Sequence, residues 1–127
     1  MAARAKPHEV LNAWIEIPDT IQNAIEGLTE DDLDRRGGSN AWSIRETVHH
    51  LVEANLVAAS IVIAALGKSG CTYDWSWLNP DLAWMERMGY KAAPVAPATE
   101  TLRVLTRHLS AVIEAAPDAT RREVKLP

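Results

Sequence analysis

The sequence predicts an all-α protein folded as a helical bundle. Apolar residues recur at the three- and four-residue spacing of an amphipathic helix over three segments, at about 7–28, 43–66 and 97–116. Strand-like alternation is confined to the last few residues. Because each amphipathic helix must bury its apolar stripe against a neighbour, three such helices predict an up-down bundle. A chain of 127 residues suits one domain, so we expect a single helical domain over 1–127.

The first predicted helix begins at Pro7, where the N–H that proline lacks would have no intrahelical partner anyway. Pro18 lies inside the same apolar pattern. An internal proline removes one hydrogen bond and clashes with the preceding turn, so we expect a kink or a split there. The polar residues 29–41 predict a loop with one short helical turn.

The second predicted helix begins after Ser43. Ser43 and Glu46 have the spacing of a capping box, and Gly67 is a typical helix stop. This helix is apolar almost all round, so we expect neighbours on several sides. Its most apolar run, Leu51–Leu66, is shorter than a spanning helix and contains Glu53, which predicts no membrane association.

A long connection over 68–95 separates the second and third helices, with a short helix predicted near Asp81–Met88. It contains three tryptophans, Trp75, Trp77 and Trp84. Connections of this length in small domains are often functional. We consider two interpretations of the tryptophans: a lid packed over the end of the bundle, or the wall of a substrate pocket.

Two adjacent histidines, His49 and His50, lie in the second turn of the second helix. Successive helical residues rotate by about 100°, so the two rings point in different directions. A helical wheel with Ile44 and Val48 on the core face places His49 among polar residues, and we expect it to face solvent. The wheel directs His50 along an apolar arc. A buried imidazole is either hydrogen-bonded within the core or serves as a metal ligand or catalytic group.

Composition excludes several function classes. The net charge is −4 and basic residues are dispersed, so we expect no nucleic-acid binding. Cys71 is the only cysteine, which rules out an internal disulfide and favours a cytoplasmic location. Glu46 and His49 have the Glu-x-x-His spacing of di-iron bundles, but no second such motif occurs.

Four segments taken together resemble the DinB/YfiT-like superfamily of metalloenzymes: "AIEGLTEDDLDRR", "GGSNAWSIRETVHHLVEAN", "YDWSWLNPDLAWMERMGY" and "TETLRVLTRHLSAVI". The resemblance implies a four-helix bundle in which three histidines hold nickel or zinc, and His50 matches the ligand of the second helix. It also implies a thiol S-transferase or hydrolase-like activity, with a low-molecular-weight thiol as a substrate of some members.

The sequence departs from this family pattern at one end. "VKLP" at 124–127 resembles the segment that precedes the last helix of the family, so we expect a C-terminally incomplete domain without the other two ligands. The isolated chain is then expected to hold no stoichiometric metal. The alternative function is a metal-free helical module for binding or dimerisation. We expect a homodimer, because a missing helix would leave a groove along Ala54, Val57 and Ile61.

Overall fold

The computed structural model describes residues 6–127 and is all-helical over that range, apart from two isolated β-bridges. Its elements run α1 (Pro7–Ile25), α2 (Glu30–Asp34), α3 (Ile44–Gly67), α4 (Leu82–Met88) and α5 (Val95–Ala115). A short 3-10 turn at Tyr90–Ala92 lies between α4 and α5, and a second one at Ala119–Arg121 follows α5. The three predicted long helices and the two predicted short ones are therefore confirmed.

The first helix does not split at its internal proline. α1 runs without interruption through Pro18, whose ring is buried in the bundle. Proline removes only one backbone hydrogen bond of the helix, and the apolar face on either side stays packed. Of the two expected outcomes, the split does not occur, and the kink stays a prediction.

The predicted capping box of α3 is confirmed. Ser43 accepts a hydrogen bond from the backbone N–H of Glu46 at 3.1 Å, and the Glu46 carboxylate accepts one from the Ser43 N–H at 3.0 Å. Arg36 also donates to Glu46, at 2.9 Å. These contacts fix where α3 begins, and hence the direction in which the side chains of its first turns point.

The core lies between α3 and α5, and α1 packs against α5 and adds Ile21 and Ile25 to the same core. Its centre is made of Val48 and Val52 from α3 with Ala98 and Leu102 from α5. Ile44, which the helical wheel placed on the core face, is 40% exposed. The buried face of α3 is thus rotated towards Val52, away from the predicted direction.

The charged start of α3 is buried rather than solvated. The Arg45 guanidinium donates to Asp34 at 2.7 Å, to the Ala93 carbonyl at 3.1 Å and to Glu30. These two carboxylates raise the pKa of Arg45, with the bond to Asp34 contributing most. One side chain thereby ties α2 and the α4–α5 connection to α3.

By length and composition alone, α3 is the one helix in residues 6–127 that is apolar enough to cross a membrane. Only 6% of the residues in its most apolar stretch are buried within the fold. Of the described helices, α3 is also the one that packs most extensively on α5. The arc predicted to line an open groove, Ala54, Val57 and Ile61, is half-buried.

The chain end pairs with the start of the α3–α4 connection. Thr72 and Lys125 form a parallel bridge, in which the Tyr73 N–H donates to the Lys125 carbonyl at 2.9 Å. The Lys125 N–H donates in turn to the Cys71 carbonyl at 2.8 Å. This pairing fixes the beginning of the segment that carries the tryptophans.

Candidate functional site

His50 and Glu53 form a side-chain pair one turn apart on α3. The Nδ1 atom of His50 lies 3.3 Å from Oε1 of Glu53. A carboxylate only accepts, so Nδ1 is the donor of this bond, and in the neutral ring the lone pair then lies on Nε2. The edge of Trp42 packs on the ring at a centroid distance of 5.0 Å. This arrangement holds an imidazole whose Nε2 can accept a proton or bind a metal.

Glu53 connects His50 with the other side of the site. Its side chain is only 10% exposed. Oε2 accepts hydrogen bonds from Nε1 of Trp84 at 2.7 Å and from the hydroxyl of Tyr90 at 2.6 Å. The carboxylate therefore joins α4 and the following 3-10 turn to α3. Burial raises the pKa of Tyr90, and the bond to Glu53 and its negative charge raise it further.

His49 occupies the opposite environment from the one predicted. It is buried, its Nε2 lies 2.9 Å from the Ala93 carbonyl, and its ring stacks on Tyr90 with the planes 9° apart. The prediction that His49 faces solvent is wrong, because the α4–α5 connection covers that arc of α3. His49 is a core histidine bonded to a backbone carbonyl, whereas His50 is only half-buried.

An apolar cavity of about 610 Å³ opens between α3, α4 and the start of α5. Trp77 and Trp84 stack on its outer side, with ring centroids 6.2 Å apart and planes inclined by 26°. Trp75 packs on Tyr73 instead and lies outside the lining. Two of the three predicted pocket tryptophans are thus brought together. The lining is completed by His49, Val52, Glu53, Leu56, Val57, Met88, Tyr90, Ala93, Pro94, Pro97, Ala98 and Thr101.

A family model of the DinB superfamily matches residues 13–126. The chain belongs to the DinB superfamily. In this superfamily it is 24% identical over 125 residues to a protein of Geobacillus thermodenitrificans named "Putative metal-dependent hydrolase", covering 94% of this chain and 67% of that protein. A relative from Oceanobacillus iheyensis with the same description is 28% identical over 53 residues, which is 39% of this chain and 31% of the relative.

The DinB-type fold is confirmed by a solved structure. The chain superposes over its full length on 74% of YfiT from Bacillus subtilis, with a TM-score of 0.82 and 21% identity. That structure is described as a probable metal-dependent hydrolase with an unusual four-helix bundle topology. At this level of identity the likeness establishes the fold.

The described residues of this DinB-type chain do not make a complete metal centre. Within residues 6–127, no three or more His, Cys, Asp or Glu side chains are grouped so that they could hold an ion. His50 offers one imidazole, oriented by Glu53, while His8 and His108 are exposed on α1 and α5. A three-histidine geometry needs two further donors at the same point.

Glu53 and Tyr90 are the site residues that sequence reasoning missed. The wheel assigned Glu53 to the solvated side together with His49, since it treated every charged residue as exposed. The signal that points to Glu53 is its position three residues after His50, which puts both on neighbouring parts of one helix face. No local pattern indicates Tyr90, because its contact with Glu53 joins residues 37 positions apart.

Proposed function

We propose that this chain takes part in a metal-dependent reaction of the hydrolase or thiol S-transferase type, with His50 as one metal ligand. The observation that carries the proposal is the pairing of His50 Nδ1 with Glu53. Histidines that bind metals through one nitrogen commonly donate the other N–H to a carboxylate, which orients the ring and raises its basicity. Relatives named "Putative metal-dependent hydrolase" support a metal in general. Nickel and zinc are the candidates that the sequence resemblance implies.

In this proposal each part of the site has a separate task. A divalent metal, when bound, would supply Lewis acidity towards water or the sulfur of a low-molecular-weight thiol. His50 would hold it through Nε2, and Glu53 would keep the proton of the ring on Nδ1. The cavity beside Glu53 holds the apolar part of the substrate against Trp77 and Trp84. Residues 6–127 bring no further ligands together at His50, so the remaining ligands have to come from elsewhere. A second copy of the chain is one source.

An engineered second ligand tests whether His50 is available to a metal. Ala54→His places a histidine one turn after His50, the spacing at which two imidazoles on a helix bind one ion. We expect this variant to bind nickel or zinc at least about tenfold more tightly than the unchanged chain in calorimetric titrations. The gain should disappear when His50→Ala is added.

A matched pair on another helix serves as the control. Val112→His gives the exposed His108 a partner at the same spacing on α5. If Val112→His binds metal and Ala54→His does not, then Nε2 of His50 is not available and the proposal is contradicted. Similar affinities for the two variants support it.

The alternative function is a metal-free helical module for binding or dimerisation. What favours it is that one imidazole, rather than three, is positioned in the described part of the chain. The exposed apolar side chains of α3, Leu56 and Ile63, offer a contact surface. Elemental analysis can decide between the two functions in one direction: bound metal that is lost in His50→Ala supports the metal-dependent reaction, because the module binds no metal through His50.

A further inference from the structure

Glu53 is a nearly buried carboxylate that lacks a lysine or arginine partner among residues 6–127. Its hydrogen bonds come from the indole of Trp84, the phenol of Tyr90 and the imidazole of His50. A carboxylate has about four acceptor sites, so the three donors leave capacity for one more. A buried negative charge without a lysine or arginine partner favours the approach of a cation.

The wall around this carboxylate is apolar and aromatic. Leu56 and Met88 flank the stacked pair of Trp77 and Trp84, and the cavity volume of about 610 Å³ is that of a small-molecule site. Trp77 is 59% exposed, so the aromatic side can be reached from solvent. The faces of tryptophan rings attract ammonium groups through their quadrupole, and they do so more strongly than other aromatic rings.

We propose that the cavity binds an organic cation, an ammonium group carried on an apolar or aromatic body. The ammonium donates to Oε1 of Glu53, which among residues 6–127 accepts from His50 alone, whereas Oε2 already accepts from Trp84 and Tyr90. The apolar body fills the space between Leu56, Met88 and Trp77. In naming the substrate class of the cavity, this inference rests on the proposed function, but binding of the cation requires no metal.

Three probes with one aromatic body test the charge preference. Naphthylethylamine, naphthylethanol and naphthylacetate are titrated into the chain by calorimetry in buffer with a chelator, which removes the metal from the measurement. We expect the amine to bind at least about tenfold more tightly than the alcohol and the acetate to bind most weakly. Equal binding of the three probes, or no binding of the amine, overturns the inference and leaves the metal proposal standing.

Matched variants locate the binding. Glu53→Gln should remove the advantage of the amine over the alcohol, while Glu86→Gln, on the outer face of α4, should preserve it. Trp77→Ala should weaken both ligands, and Trp75→Ala, outside the lining, should weaken neither. An advantage that persists in Glu53→Gln overturns the inference. If circular dichroism shows that Glu53→Gln is unfolded, the comparison of Trp77→Ala with Trp75→Ala decides, and equal effects overturn it.

Discussion

The hydroxyl of Tyr90 donates to Oε2 of Glu53 over 2.6 Å, which joins the 3-10 turn after α4 to the middle of α3. The same tyrosine ring stacks on His49. Tyr90, which lies outside the long helices, thus lines the cavity and covers the ring of His49. Because burial and the nearby carboxylate both disfavour the phenolate, the pKa of Tyr90 lies above the usual tyrosine value of 10.0.

The raised pKa of Tyr90 predicts a loss of stability in alkali. The unfolded chain releases this proton near pH 10.0, whereas the folded chain retains it to higher pH. The stabilising contribution is therefore complete below about pH 10 and declines as the pH rises further. Urea unfolding should show the advantage of the unchanged protein over Tyr90→Phe staying constant up to about pH 10 and shrinking from about pH 10 to pH 12. A difference that stays constant over this range contradicts the prediction.

Removal of the α3 cap should destabilise the whole bundle. Ser43→Ala leaves the N–H of Glu46 without its side-chain acceptor, so we expect the free energy of unfolding to fall by about 1 kcal/mol. Ser39→Ala, in the exposed preceding loop, is the control and should change it by less than about 0.5 kcal/mol. Equal effects of the two substitutions in urea unfolding would show that the cap contributes nothing.

The unmodified chain of 127 residues should carry no stoichiometric metal at neutral pH. Tight binding requires several ligands placed in advance, and His50 provides one. Elemental analysis after dialysis against nickel or zinc measures the content directly. About one ion per chain that is lost in His50→Ala would contradict the prediction. It would mean that a second copy of the chain supplies the remaining ligands.

We expect a homodimer formed through α3. Ile63 is 63% exposed on this apolar helix, and such a side chain favours an interface between copies. Light scattering at micromolar concentration should give twice the mass of one chain, and Ile63→Glu should reduce it to the monomer. Val104→Glu, at a valine that is 54% exposed on α5, is the control and should remain dimeric. A monomeric unchanged protein would contradict the expectation.

Helix positions and termini are the features that the sequence determined. The capping pair of Ser43 and Glu46 and the stop at Gly67 act over three or four residues. Local patterns suffice for such features, because every group involved is close in the chain. The fold family could likewise be identified from segments quoted in chain order, and the family match over residues 13–126 confirms it.

Tertiary structure alone decided which face of α3 is buried and what surrounds its histidines. Apolar spacing directed the core towards Ile44, yet the contacts of Arg45 and His49 with the Ala93 carbonyl turn a polar arc inward. These contacts join residues more than forty positions apart. A helical wheel ranks the faces of a helix by hydrophobicity alone. It does not include hydrogen-bond partners on other elements, and such partners lower the free-energy cost of burying a polar group. Glu53, Trp84 and Tyr90 likewise come together only in the tertiary structure, because their hydrogen bonds join residues 31 and 37 positions apart.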